Sequence, residues 1–130
     1  MAVSDMIQEL ESAKEPARET DAKIALLFGW QRRVETSEGA TKSRKVSWIN
    51  PVSGENRLPA FTFSVDAALE LLDLVAKKSH GGVSWIVNEA GVTCTVKVDE
   101  GPYYHAATPA IAICVAALKL KAAELGEEAQ

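Results

Sequence analysis

The chain has 130 residues, within the roughly 100–200 of a single domain, and its 47% hydrophobic and 25% charged residues are ordinary for a packed globular protein. That balance excludes a disordered chain, which carries fewer apolar residues and a larger net charge. A formal net charge of −4 argues against general nucleic-acid binding, which shows as a basic excess.

One domain is expected over residues 1–130, with no disulfide or metal needed to hold it. The only cysteines, Cys94 and Cys114, lie in apolar stretches and have no second Cys or His at metal-ligand spacing. No metal or cofactor is therefore expected. The opening MAVSDMIQEL has no basic segment followed by an apolar run, so no signal peptide is read there. The longest apolar segment, near residues 106–118, is short of the ~20 residues of a membrane span. A reducing cytoplasm is the expected location.

Met6, Ile7, Leu10 and Ala13 recur at spacings of three and four, which predicts a helix over Ser4–Ala13, capped by Ser4 and ended by Pro16. A second helix is expected from about Pro16, burying Ile24, Leu27 and Phe28 and stopping at Gly29. Gln31–Lys45 is polar and lacks a period, so residues 31–45 read as a mobile loop carrying Arg32, Arg33, Lys42, Arg44 and Lys45. Lys45–Ile49 alternates as a short strand, and Asn50–Gly54 reads as a turn. Pro59–Phe63 reads as an extended segment that pairs with 45–49.

Ser64 precedes an apolar-striped run, Val65–Lys78, with Asp66 in its first turn and Lys77 and Lys78 in its last. Ala68, Leu69, Leu72, Val75 and Ala76 are its expected buried face. Val83–Val87 and Val92–Val98 alternate as strands about a tight turn at Asn88–Gly91, with Val92, Cys94, Val96 and Val98 facing inward. Asp99–His105 reads as a loop. Thr108 and Pro109 then open a final helix through the Ile111, Cys114, Val115, Leu118 and Ala122 stripe, and residues 124–130 are expected to fray.

The order helix, helix, strand, strand, helix, strand, strand, helix predicts an α+β fold. Its expected core is one antiparallel or mixed four-stranded sheet flanked by helices.

Four stretches resemble small phage and prophage proteins of the phage ABA-sandwich-domain family. They are the helix ending in Gly29-Trp30, the segment Pro59–Ala68, Trp85 within a strand, and Ala107–Leu118. Together they span about residues 18–122; Thr62-Phe63 before Ser64 and the longer loop after Trp30 depart from the family's commoner pattern. The resemblance implies an α-β-α sandwich and a phage or prophage origin, hence a bacterial host cytoplasm. It implies no agreed activity.

Catalytic patterns are not found. His80 precedes Gly81-Gly82 in an expected turn, and no GK[ST] follows those glycines. Ser64 with Asp66 is accounted for by helix capping. His105, beside Tyr103 and Tyr104, is the better functional candidate.

Three binding readings follow. The leading one is a non-enzymatic accessory protein that binds a host or phage protein or its own copies. The second is a small anionic ligand, a nucleotide or phosphate, held at the helix starts Ser64 and Thr108. Phe61, Phe63, Asp66, Tyr103, Tyr104 and His105 would lie around it. The third is nucleic-acid contact through Arg32, Arg33, Lys42, Arg44 and Lys45.

Overall fold

In the computed structural model, residues 2–36, 44–54 and 56–126 are described. In chain order they form α1 (Val3–Ser12), α2 (Arg18–Leu27), β1 (Gln31–Thr36), β2 (Arg44–Ile49), α3 (Val65–Val75), β3 (Gly81–Asn88), β4 (Gly91–Val98), β5 (Tyr103–Ala106) and α4 (Pro109–Glu124). The fold is α+β, with helices and two small antiparallel sheets. Contacts divide the chain into two units, Met1–Ala17 with Ala60–Gln130, and Arg18–Pro59.

The larger unit is built around α4. Every residue from Ala110 to Leu118 is buried, so this helix has no polar face in its first two and a half turns. A helix apolar on all sides belongs in the middle of a core. It is covered by α1, by α3 and by the sheet β3-β4-β5, and its five buried alanines at 110, 112, 116, 117 and 122 keep those neighbours close. Thr108 caps it, accepting the Ile111 N–H at 3.2 Å, with Pro109 in the first turn as expected.

The α1 helix buries Val3, Met6, Ile7 and Leu10. It starts earlier than expected, at Val3, with Ala2 at the cap position and Ser4 exposed inside the helix. Helix α3 buries Ala68, Leu71 and Leu72, and the Ser64 hydroxyl accepts the Ala67 N–H at 3.2 Å. Two expectations fail here. Leu69 is exposed, and the helix ends at Val75, so Lys77 and Lys78 lie beyond it, Lys78 at φ 58°.

The expected hairpin forms, with Asn88 opposite Gly91 and Val83 opposite Val96. Gly91 takes φ 120°, a conformation that glycine adopts without side-chain strain. Cys94, Val96 and Val98 are buried, whereas Val92, also expected inward, is exposed. A third strand, β5, forms where a loop is expected and pairs antiparallel with β4, Val96 opposite Tyr104.

The smaller unit holds α2 and a β1–β2 ribbon. Arg18 donates to the fully buried carboxylate of Asp21 at 2.8 Å and to the Leu58 carbonyl at 2.8 Å, tying the two ends of the unit together. Gly29, at φ 97°, ends α2 as expected; Leu27 and Phe28 are half-buried rather than core. Gln31–Thr36, expected as part of a mobile loop, is a strand paired residue for residue with Arg44–Ile49. All six of its residues are exposed, so it carries none of the apolar alternation that announces a strand.

The expected single four-stranded sheet is thus replaced by a ribbon of two strands and a sheet of three. The predicted partner of β2, Pro59–Phe63, forms no strand. It turns instead into α3, with the Ser64 N–H donating to the Ala60 carbonyl at 2.9 Å. Of the tail, Glu124 closes α4 and Leu125-Gly126 form a turn; 127–130 lie outside the described residues.

Candidate interaction surface

The sequence of β3, GGVSWIVN, is rich in β-branched and aromatic residues and holds no charge and no proline. Sheet order β3-β4-β5 leaves it at one edge, and α4 packs chiefly over β4 and β5. Because β-strand side chains alternate, Val83, Trp85 and Val87 share the face of Cys94 and Val96, while Ser84 and Ile86 share that of Thr93 and Thr95. Both faces of the strand are open: Trp85 is 67%, Ile86 65% and Val87 68% exposed. Val92 extends the patch on β4. Trp85 lies outside the core because α4 does not reach over the outer half of β3.

Natural sheets blunt their edges with charge, proline, bulges or a covering element. The other edge, β5, is four residues long and has α1 packed beside it. By contrast, β3 is eight residues long, and its ladder with β4 runs from Gly81 to Asn88 without an inserted residue. Beneath it lies a hollow of about 180 Å³ lined by Leu69, Leu72, Val83, Val96 and Ile113, with Gly81 and Gly82 at its rim.

The residues proposed from sequence for an anionic ligand are dispersed. Phe61 and Tyr104 are core residues, and Phe63 and Asp66 are exposed beside the start of α3. Tyr103 and His105 stand on the open sheet face with Thr95 and Lys97; His105 Nδ1 lies 3.0 Å from Thr95 Oγ1, and Lys97 Nζ 5.3 Å from the Tyr103 ring centre. Ser64 and Thr108 use their hydroxyls to cap their own helices.

An open cleft of about 490 Å³ is lined by Glu11, Ser12, Lys14, Thr93 and His105 and takes in none of the other seven. Its Ser12 hydroxyl donates to the Gln8 carbonyl at 2.8 Å, an ordinary helix-end contact rather than that of a nucleophile.

Among the described residues no group of three His, Cys, Asp or Glu side chains converges as a metal site. Both cysteines are buried, and desolvation pushes the Cys94 thiol above its ordinary 9.0, away from the thiolate that chemistry or a metal requires. His80, expected in a turn, lies just before β3; its Nδ1 is 3.1 Å from an Asp99 carboxylate oxygen and its backbone N–H donates to the same carboxylate.

The basic positions are divided as well. Arg32 and Arg33 point to opposite faces of β1, and Glu35 sits opposite Lys45. Arg44 opens β2, and Lys42 lies outside the described residues.

Comparison with known proteins gives no match among family models, curated proteins or solved structures. No helix among the described residues is long and apolar enough to cross a membrane.

Two residues with structural roles escaped the sequence reading. Thr62 is buried, and its hydroxyl both accepts the Ala17 N–H at 3.1 Å and donates to the Ala17 carbonyl. Asp21, fully buried against the Arg18 guanidinium, is the second. The Thr62–Ala17 contact spans 45 positions and leaves no periodic trace in a sequence.

Proposed function

We propose that this chain is a non-enzymatic accessory protein that acts by binding another polypeptide, a partner protein or its own copies, through edge strand β3. The observation that carries the reading is the unguarded edge: eight uncharged residues with Trp85, Ile86 and Val87 about two-thirds exposed. Free N–H and C=O groups along such an edge accept a further strand, and the apolar side chains on its two faces add burial. The motif resemblance to phage and prophage ABA-sandwich proteins belongs to the same proposal and sets it in a bacterial host. The α-β-α layering it implies needs a helical layer on the Thr95–His105 face, opposite α4.

Placing a lysine on the edge tests the reading. Ile86→Lys lies on an exposed position, so the fold is expected to persist while strand addition is blocked. The wild-type chain should self-associate, or capture a protein from host lysate that rebinds when purified, and Ile86→Lys should lose either interaction. His105→Ala, on the open face beyond β4, should keep it. Monomeric behaviour with no β3-dependent capture would end the proposal.

The ligand reading has less support, because the capping hydroxyls are already engaged by their own helices. Nucleic-acid contact has less again, since Arg32 and Arg33 point to opposite faces of β1 and Lys45 stands opposite Glu35.

A further inference from the structure

We propose that β3 pairs antiparallel with β3 of a second copy, joining two three-stranded sheets into one of six strands about a two-fold axis at Trp85. This rests on the binding reading above and names its partner.

The strand is its own complement. In an antiparallel pair, residues directly opposite each other point to the same face, so a two-fold axis normal to the sheet must pass through a residue pair. Centred on Trp85, the register sets Trp85 against Trp85 and Val83 against Val87 of the second copy. Each of the three apolar side chains that β3 carries on the helix-bearing face then meets another. Ser84 falls opposite Ile86 on the far face, and the small ends Gly82 and Asn88 close the ladder. Centred on Ser84 instead, Val87 would stand opposite Gly81 and lose its partner. An axis at Ile86 would shorten the ladder to five residues.

Charge does not oppose this occupant. The chain carries a net −4, so two copies repel in general, yet the Gly81–Asn88 segment has no ionisable side chain to repel its own image. The contact is isologous and closes at two copies, because pairing consumes the only long free edge of the sheet. A patch of one strand and its flanking side chains makes association concentration-dependent, over a roughly micromolar range.

Cysteine cross-linking reads the register. Opposed Cα atoms in an antiparallel ladder are about 4.5–5.5 Å apart, within reach of a disulfide. Ser84→Cys and Ile86→Cys are both on the exposed far face, and the native Cys94 and Cys114 are buried and silent. An equimolar mixture of the two variants under mild oxidation should give a covalent dimer joining 84 to 86. Ser84→Cys alone should give none, since its two copies stand roughly 8 Å apart. Sedimentation of the wild type should show a monomer–dimer equilibrium that Trp85→Lys shifts to monomer.

A dimer that cross-links through 84 alone, or not at all in the mixture, overturns the Trp85-centred pairing. A wild type that stays monomeric at millimolar concentration overturns the second copy as occupant. In that case β3-dependent capture of another protein would keep the broader reading alive, and its absence would remove both.

Discussion

At the scale of single residues, the sequence was most legible where one side chain has one local task. Ser64 and Thr108 each accept the N–H three positions on, as a hydroxyl before an apolar run foretells. Replacing either with alanine should cost about 1 kcal/mol of stability, read as a lowered midpoint in urea unfolding. An unchanged midpoint for both variants would mean that the caps are idle and that their hydroxyls are free for a ligand after all. Residues whose task is long-range were illegible. Thr62 ties down Ala17 across 45 positions, and Arg18 reaches the Leu58 and Pro59 carbonyls. No window of sequence holds both partners.

At the scale of elements, periodicity found α1, α3, α4 and the β3–β4 hairpin, each of which carries regularly spaced apolar residues. It missed β1 and β5 for different physical reasons. The six residues of β1 are exposed on both faces, so pairing with β2 leaves no alternation to detect. Strand β5 is only four residues long, and its alternation, exposed Tyr103 and His105 against buried Tyr104 and Ala106, sits between a Gly-Pro turn and a helix cap.

The same limit applies to α3, where apolar spacing nominated Leu69 although Leu71 faces the core. Leu118→Ala in α4 removes a fully buried side chain and should destabilise by roughly 2–5 kcal/mol, whereas Leu69→Ala should cost under about 0.5 kcal/mol. Equal losses in thermal or urea unfolding would place Leu69 in the core and contradict the packing described here.

At the scale of the whole molecule, the candidate site became visible only with the sheet order. The sequence showed Val83–Val87 to be a strand but not that β3 lies at an edge, nor that α4 leaves its outer half uncovered. Sequence alone therefore points to a site around the helix starts and His105. Edge position is a property of topology: the same strand at the centre of the sheet would be an ordinary core element, with Trp85 beneath a helix. Here it is the longest free ladder in the larger unit, and the absence of charge along it makes it suited to another strand.

Hydrogen–deuterium exchange tests that claim most directly. In the isolated chain every second amide of Gly81–Asn88 points away from β4 and should exchange rapidly. Raising the protein concentration, or adding a captured partner, should slow exchange across this segment while the peptide spanning Tyr103–Ala106 is unchanged. Protection that arises on Tyr103–Ala106 or the helices, with Gly81–Asn88 left as fast as before, would contradict the account.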